Sequence, residues 1–266
     1  MNKLNIENIS LSFGGVKALK NVSFNVAEGE LHAIVGPNGS GKTSLLNSIS
    51  GFYRPHEGKI SLDGENLLKL PSHIIATRGV GRTFQHSELF KTSSVLDNIK
   101  LGRHIHYSKG IFSNLFYWGK TRKEEMAARK EIEMEIIDLL ELESVRKEPV
   151  GSLPYGVQKR VDLARALALK PEILLLDEPI GGMNREERED MVRYVLDVHD
   201  FWDVTVILVE HDMSIVMDIS DRITVLNFGQ KLVDGTPKEI QSHPEVIRAY
   251  LGDGVSAESS SNLVKE

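Results

Sequence analysis

One stretch of this chain decides its fold: Gly36-Pro37-Asn38-Gly39-Ser40-Gly41-Lys42-Thr43. It matches the pattern G-x-x-x-x-G-K-[ST] at every fixed position. The apolar segment Leu31–Val35 precedes it and Ser44–Ser50 follows it, an order that predicts strand, glycine-rich loop and helix. A purely structural glycine-rich turn is the alternative, and the full match in this context disfavours it. The stretch therefore predicts a phosphate-binding loop for a nucleoside triphosphate.

The residue types of this loop suit a bound triphosphate. Glycines allow successive backbone N–H groups to face one anion, and the following helix directs the positive end of its dipole toward that anion. Lys42 supplies a charge to the β and γ phosphates, and the Thr43 hydroxyl can bind Mg²⁺. The predicted triphosphate-binding residues are Gly36, Pro37, Asn38, Gly39, Ser40, Gly41, Lys42, Thr43 and Ser44.

The pattern outside the loop is that of an α/β sheet with an insertion. The predicted strands are Leu4–Phe13, Val22–Val26, Lys59–Leu62, Ile173–Leu176, 204–209 and 223–228, and the later ones alternate with helices at 185–200 and 212–219. Ile173–Leu176 is apolar on both faces, as in a buried parallel strand. Strand signals are absent from about Ser93 to Glu148. There Glu124–Glu143 is predicted to be an exposed amphipathic helix, and Gly151–Lys170 is the next helical segment.

The composition excludes several classes of protein. The 266 residues are 41% hydrophobic, enough for a sizeable core, so wholesale disorder is excluded. The absence of cysteine excludes disulfides, thiolate zinc sites and thiol catalysis. A net charge of −6 argues against a general nucleic-acid binder. No apolar run approaches the roughly 18 to 20 residues that span a bilayer, and Met1–Asn5 lacks a signal-peptide pattern, so we expect a soluble, cytosolic chain.

A carboxylate pair, Asp177-Glu178, follows the buried strand directly. The carboxyl ends of parallel strands are where α/β proteins bind ligands, so this position favours a functional pair over a solvated turn. Asp177 fits the acidic residue that holds Mg²⁺ in phosphate-loop enzymes. Glu178 is then placed to polarise the attacking water.

Three further segments occur in a fixed order along the chain. Gln85 lies in Thr83-Phe84-Gln85, the segment Leu153–Gln158 precedes a helical stretch, and His211 lies in Glu210-His211-Asp212. The order of phosphate loop, Gln, signature segment, acidic strand end and His resembles the ATP-binding subunit of ATP-binding cassette (ABC) transporters, over about residues 3–251. A lone Gln or His would be structural more often than functional, and the joint order favours the functional interpretation.

This resemblance implies a fold and a domain plan. The expected fold is a phosphate-loop NTPase (RecA-like) α/β core with an antiparallel β subdomain and an inserted α-helical subdomain. Residues 1–88 and 158–251 would form the nucleotide-binding core, and residues 89–157 the helical signature subdomain. The serine-rich composition of residues 252–266 predicts a disordered tail.

The resemblance also implies residue roles. Phe13 corresponds to the aromatic that stacks on adenine, although a core phenylalanine at a strand end is the alternative. Gln85 would sense Mg²⁺ and the water, Glu178 would be the catalytic base, and His211 would contact the γ-phosphate. The loop Gly181–Asn184 would cross a dimer interface. Its implied contacts are Gly182 and Asn184, where Asn184 stands in place of a common Asp; the implied Mg²⁺ ligands are Thr43, Gln85 and Asp177.

The signature segment departs from the family pattern. The usual Leu-Ser-Gly-Gly-Gln is here Leu153-Pro154-Tyr155-Gly156-Val157, so only Leu153 and Gly156 agree. Proline suits the first turn of a helix because its φ is already helical. Pro154 nevertheless lacks the hydroxyl and the N–H that would face the γ-phosphate held by the partner subunit. The helix dipole and the Gly156 N–H remain, so we expect weakened binding in trans.

One phosphate loop with one signature implies that the chain is one half of a dimer with two ATP sites. The resemblance implies ATP and Mg²⁺ as ligands and a dimer, either of identical chains or with a related ABC ATPase. A chain without a spanning helix would work on separate transmembrane permease subunits at the cytoplasmic face of the plasma (inner) membrane. A periplasmic or lipoprotein substrate-binding protein would take part indirectly, and nucleic acid would not.

Several segments narrow the resemblance to the branched-chain amino acid uptake ATPases: Thr83–His86, Tyr155-Gly156, Glu210–Met213, Val216–Arg222 and Pro244–Gly252. Urea or amide uptake ATPases and the lipopolysaccharide-export ATPase share much of this pattern and remain alternatives. A non-transport ABC ATPase is another, but such members generally carry two cassettes or a long coiled coil. A small-molecule kinase would leave the signature and His211 unexplained.

Residues 103–123 combine aromatic and basic side chains. Five aromatics occur there: Tyr107, Phe112, Phe116, Tyr117 and Trp118. This mixture occurs at nucleic-acid and membrane surfaces, and also where an insertion packs on itself. Our hypothesis is that part of this patch docks the membrane partner, because it follows Gln85 in the chain.

Overall fold

The computed structural model describes residues 2–85, 88–103, 130 and 132–251. Its strands are β1 Asn2–Phe13, β2 Val16–Ala27, β3 Leu31–Val35, β4 Glu57–Leu62, β5 Glu65–Asn66, β6 Val80–Arg82, β7 Ile173–Asp177, β8 Thr205–Val209, β9 Arg222–Asn227 and β10 Gln230–Gly235. Its α-helices are α1 Lys42–Ile49, α2 Ser72–Thr77, α3 Val95–Gly102, α4 Tyr155–Leu167, α5 Arg185–Trp202, α6 Met213–Ile219, α7 Pro237–Gln241 and α8 Pro244–Leu251.

The described residues form two compact units. The first comprises residues 2–75, 175–178 and 198–251, and the second comprises the described parts of 76–174 and 179–197. The predicted helical subdomain, residues 89–157, falls within the second unit as far as it is described. Its boundaries at 88 and 158 stay a prediction. Residues 104–123 of the aromatic patch and the predicted tail lie outside the described residues.

An antiparallel sheet of the first unit has the strand order β2-β1-β4-β5. In β1 the apolar side chains of Leu4, Ile6, Ile9 and Leu11 are almost fully buried. A register shift against β2 falls between Ile6 and Ile9, and Asn8 adopts a left-handed φ of 53° there. This irregularity explains why the apolar pattern of the strand only approaches strict alternation.

The second sheet has the order β10-β9-β3-β8-β7-β6. Strand β3 lies at its centre and is parallel to both neighbours, with Ala33 opposite Leu208 of β8 and opposite Ile223 of β9. All residues of β3, β7 and β8 are buried, in agreement with the apolar character of their sequences. The edge strands β6 and β10 were not predicted, because one is three residues long and the other is half-exposed.

Two predicted helices of the second unit have different limits in the structure. Within the described part of Glu124–Glu143, residues Ile132–Ile137 form a π-helical turn followed by two α-helical residues, and the chain has left the helix at Glu141, whose φ is 52°. The helix predicted over Gly151–Lys170 begins only at Tyr155. Its expected start was wrong, because Val150–Ser152 is a separate 3₁₀ turn and Leu153 is extended.

A buried polar cluster joins the strands next to the phosphate loop. His32 of β3 is fully buried, with Nδ1 2.6 Å from Glu30 Oε1 and Nε2 2.8 Å from Thr224 Oγ1 of β9. The Thr224 hydroxyl donates to Asp234 of β10 at 2.7 Å, and the Phe24 ring of β2 stacks on the imidazole. Strands β3, β9 and β10 are therefore joined by hydrogen bonds, and β2 by ring stacking, which an apolar pattern cannot reveal.

Replacing His32 with leucine tests this cluster. The change removes a buried partner from Glu30 and Thr224, so we expect the free energy of unfolding to fall by about 2 to 3 kcal/mol in denaturant titrations. The matched control is His56→Leu, at an exposed histidine of the same unit, with a change below about 0.5 kcal/mol. Equal losses in the two variants would contradict a specific role for His32.

Candidate nucleotide-binding and catalytic site

The predicted phosphate loop connects β3 to α1, as the sequence indicated. Its path requires glycine at two points. A Cβ at Gly36 would lie 2.1 Å from the Leu226 carbonyl oxygen of β9, and a Cβ at Gly41 would lie 2.7 Å from the Ala18 carbonyl oxygen of β2. The Ser40 carbonyl also accepts the Gly229 N–H at 3.0 Å. Neighbouring strands thus define the position of the loop.

Lys42, the first residue of α1, turns back over the loop. Its ammonium donates to the carbonyl oxygens of Gly36 at 2.8 Å and Pro37 at 3.2 Å. Burial lowers the pKa of Lys42, and the negative charges of Glu178 and Asp177 oppose that decrease. The cation therefore lies in the field of both predicted catalytic carboxylates, at the mouth of the loop.

The loop also presents polar atoms suited to phosphate and to Mg²⁺. Ser40 Oγ is buried and has no hydrogen-bond partner among the described residues. A Cβ at Gly39 would meet nothing within 4 Å, and Thr43 is exposed. A hydroxyl without a partner beside open space, with backbone N–H groups around it, is a donor set for phosphate oxygens. The Thr43 hydroxyl and the Asp177 carboxylate are the hard oxygen ligands that Mg²⁺ prefers.

The predicted catalytic residues lie at the ends of β7 and β8, which are neighbours in the second sheet. Asp177 is the last residue of β7 and is buried, and Glu178 follows it with a left-handed φ of 49°. The Glu178 N–H donates to the Val209 carbonyl at the end of β8, at 2.9 Å. His211 comes two residues after Val209, and its side chain is 64% exposed. A strained backbone at Glu178 is typical of a functional position.

Phe13 lies at the end of β1, where a tight turn leads into β2. Its ring is 48% exposed, which excludes the alternative of a core phenylalanine. It contacts the Tyr53 ring edge-on, with centroids 4.9 Å apart. Ala18, only a few residues further on, packs against Gly41 of the loop. An aromatic pair near the loop, with Phe13 exposed and Tyr53 partly buried, is suited to stack on a purine, and Tyr53 was not predicted.

The signature residues and the predicted dimer loop lie together in the second unit. Pro154 is the N-cap of α4, with ψ at 153°, and not within its first turn. A Cβ at Gly182 would lie 3.1 Å from the Tyr155 ring, and a Cβ at Gly156 would lie 2.5 Å from Glu187 Oε1. Glu187 and Asn184 exchange two hydrogen bonds of 3.0 Å.

Of the remaining predicted residues, Leu153 and Val157 flank this region, and both are partly buried. Gln85 is also in the second unit, and its carbonyl accepts a hydrogen bond from Lys159 at 2.8 Å. The structure therefore groups the loop, Phe13, Asp177, Glu178 and His211 in one unit. It places Gln85, the signature and the dimer loop in the other.

Comparisons with known proteins agree with this geometry. The ABC transporter family model matches residues 19–181, and the model for branched-chain amino acid ATP-binding cassette transporters matches residues 230–256. The high-affinity branched-chain amino acid transport ATP-binding protein BraF of Pseudomonas aeruginosa is 40% identical over 250 residues, which cover 94% of this chain and 98% of BraF. The chain belongs to the ABC transporter family.

Solved ABC cassettes share the fold of this one. The ADP conformation of MJ1267, an ATP-binding cassette of an ABC transporter, has a TM-score of 0.81 and 32% identity, covering 95% of this chain and all of that one. The dimeric cassette MJ0796 bound to ADP and Pi has a TM-score of 0.74 and 27% identity, covering 88% of this chain and 98% of that one. The predicted family, α/β fold class and ATPase activity are confirmed. None of the described helices is long and apolar enough to cross a bilayer.

Tyr250 of the cassette interacts with the phosphate loop, and the sequence patterns did not predict it. In α8, Val246 packs in the core with Ala33 and Val35 of β3, and Tyr250 lies one turn later. Burial raises the pKa of Tyr250 to about 12, although a backbone hydrogen bond from Gly36 opposes the increase. The spacing of Val246 and Tyr250 on one helical face is the sequence signal that could have identified this contact.

Replacing Tyr250 with phenylalanine tests whether α8 supports the loop. The ring remains but the acceptor for the Gly36 N–H is lost, so we expect the Kd for ATP to rise about three- to tenfold in equilibrium titrations. Because the pKa is about 12, no change in affinity from ionisation of Tyr250 is expected between about pH 7 and 10.

The matched control is Tyr194→Phe, which removes a hydroxyl hydrogen-bonded to Arg160 at 3.2 Å in the other unit. An unchanged Kd for Tyr250→Phe would show that the contact does not support nucleotide binding. An equal rise in both variants would contradict a specific role for α8.

Proposed function

We propose that this cassette is the ATP-hydrolysing subunit of an importer for branched-chain or other hydrophobic amino acids. The observation that carries the proposal is the placement of Lys42 in the field of Asp177 and Glu178, at the mouth of a phosphate loop. Similarity to BraF over nearly the full length of both chains supports the cargo class. The match of residues 230–256 to the branched-chain amino acid family supports it independently.

The first unit supplies the residues that bind the nucleotide. Phe13, with Tyr53 against it, stacks on the adenine ring. The loop residues Gly36–Ser44 surround the phosphates with backbone N–H groups and the Ser40 hydroxyl. Lys42 exchanges its contacts with the loop carbonyls for the β and γ phosphate oxygens. These are positioning and electrostatic contributions, which dominate phosphoryl transfer.

Thr43, Asp177 and Gln85 are the residues that would hold Mg²⁺. When bound, the ion neutralises charge on the β and γ phosphates. Thr43 and Asp177 belong to the same unit as the loop, and both offer oxygen atoms. Gln85 belongs to the second unit, and we propose that it adds the contact that reports an occupied site to the membrane partner.

Hydrolysis requires a water aligned with the γ-phosphate. Glu178 accepts a proton from this water as its oxygen attacks the γ-phosphorus, and the bond to the β–γ bridging oxygen breaks. His211 donates a hydrogen bond to the γ-phosphate. The bond between the Glu178 N–H and the Val209 carbonyl keeps the ends of β7 and β8 together, so the base and the histidine keep a constant spacing.

The signature acts in trans. We propose that two cassettes, identical or related, enclose two ATP molecules, with residues 153–157 of each completing the site of the other. Gly182 and Asn184 would cross the same interface. The dimeric MJ0796 cassette with ADP and Pi supports this arrangement. The cassette would act at the cytoplasmic face of the inner membrane on transmembrane permeases, with a substrate-binding protein delivering the amino acid.

The other functions are supported less well. A urea, amide or lipopolysaccharide transporter would use the same kind of ATP-hydrolysing cassette, but the similarity to BraF favours amino acids as the cargo. A non-transport ABC ATPase or a small-molecule kinase would not be expected to resemble a transport protein over 98% of its length. Co-purification of permease subunits separates transport from assembly functions. Release of phosphate without a phosphorylated product separates an ATPase from a kinase.

Replacing Glu178 with glutamine tests the proposed base. Gln keeps the size and a hydrogen-bonding oxygen but cannot take the proton, so we expect kcat to fall by about 100-fold or more. The Kd for ATP should stay within about twofold, because the loop contacts are intact. Phosphate release and nucleotide titration measure the two effects. A kcat close to the original value would exclude Glu178 as the base.

Replacing Pro154 with serine tests the unusual signature. The serine restores a hydroxyl and an N–H at the start of α4, so we expect turnover at the site that the signature faces to rise about three- to tenfold. Pro154→Ala restores only the N–H, so a comparison of the two variants distinguishes the effect of the hydroxyl from that of the N–H. The measurement is site-resolved phosphate release in dimers that carry the change in one subunit. No change at the facing site would contradict the interpretation.

A further inference from the structure

The helix that begins at the signature holds the backbone around Gln85. We define the Gln85 segment as residues 83–85 and 88–90. Lys159 of α4 donates to the Gln85 carbonyl at 2.8 Å, and Asp162 accepts the Phe84 N–H at 3.3 Å. Arg165 donates to the Glu88 carbonyl. The three side chains are three residues apart, so they lie along one face of α4.

Two of these three charged groups are buried. Lys159 is 4% exposed and Asp162 is 1% exposed. Burial raises the pKa of Asp162, and the Arg165 guanidinium, the Phe84 N–H and Lys159 oppose the increase. Arg165 also donates to Asp162 at 2.6 Å. Buried charges are costly unless they are paired, and here each is paired with main-chain atoms of the segment or with another member of the set.

The other end of the Gln85 segment is held by α3. Asn98 is fully buried, accepts the Phe90 N–H at 2.8 Å and donates to the Phe90 carbonyl at 3.0 Å. Helices α3 and α4 are in close contact, because a Cβ at Gly102 would lie 2.2 Å from the Arg165 carbonyl oxygen. Both described ends of the segment are therefore bonded to helices that pack on each other.

Lys159 also faces the signature. Its ammonium lies 5.8 Å from the centroid of the Tyr155 ring, one helical turn earlier. That ring in turn packs against Gly182 of the predicted dimer loop. One side chain thus contacts the backbone of Gln85 and the signature tyrosine.

We propose that Lys159, Asp162 and Arg165 are positioning residues that join the Gln85 segment to the signature, so that the two move as one body. When Gln85 is displaced at one ATP site, α4 moves with it, and the signature that completes the partner's site is displaced as well. This inference rests on the proposed roles of Gln85 and of the trans signature.

Lys159→Met and Lys159→Arg test the inference in the full-length cassette. Methionine keeps the length and packing but removes the donor to the Gln85 carbonyl, so we expect kcat to fall about tenfold. The KM and the Kd for ATP should stay within about twofold, because the phosphate loop, Lys42 and Phe13 belong to the first unit. Arginine keeps a donor and should recover most of the rate. A rate for methionine equal to the original would overturn the proposal.

The matched control is Arg193→Met. It also removes a cation from the second unit, where Arg193 pairs with Glu141 at 2.9 Å on the surface. We expect kcat to be unchanged in this variant. A tenfold fall in the control as well would mean that any lost cation in this unit slows turnover, and the proposal would be overturned.

A double-mutant cycle separates positioning from general stability. If Lys159 acts through Gln85, Lys159→Met should have little further effect on kcat in a Gln85→Ala background. Additive losses would overturn the proposal even if methionine lowers the melting temperature. If Gln85→Ala alone leaves kcat unchanged, the proposed role of Gln85 fails and the inference fails with it. If Gln85→Ala lowers kcat but Lys159→Met does not, the inference is overturned while the proposed role of Gln85 stands.

Discussion

The close approach of Gly36 to the Leu226 carbonyl determines where the phosphate loop runs. At 2.1 Å from a hypothetical Cβ, that oxygen leaves no space for a side chain, and the loop backbone packs directly on β9. Gly41 has the same relation to β2. Because the loop is pressed between two strands, its carbonyl oxygens are in the right place to hold Lys42. The position of the cation is thus a consequence of backbone packing and not of the lysine itself.

The carboxylates depend on a second constraint, the pairing of β7 with β8 in the second sheet. The ends of these two neighbouring strands bring together residues that are far apart in the chain. The bond between the Glu178 N–H and the Val209 carbonyl makes this proximity specific. Glu178 has a left-handed φ of 49° at this point, a conformation that β-strands do not provide. The proposed catalytic base thus lies in a strained backbone conformation at the end of an otherwise regular strand.

Sequence patterns predicted the features that arise from local order. The loop, the buried strands and the carboxylates at the end of β7 follow from glycine spacing and apolar runs, and they lie as predicted. His32 was missed because Thr224, its second hydrogen-bond partner, comes from β9, 192 residues further along the chain. Tyr250 was missed for the same reason, since its contact with Gly36 spans most of the chain. The start of α4 was predicted too early because helical propensity does not register that Leu153 is extended.

The unusual signature makes these long-range contacts more important. In the family pattern, a serine and a glycine give the segment hydrogen-bond donors and freedom to adjust. Here Pro154 removes donors and fixes its own φ, and Tyr155 packs its ring against Gly182. A segment with little freedom cannot adapt to the phosphate by itself, so its geometry depends on where α4 is held. Lys159, Asp162 and Arg165 hold that helix against the Gln85 segment. The signature has lost adjustable side chains. The buried charges further along the same helix compensate for this loss, because they fix the position of the signature.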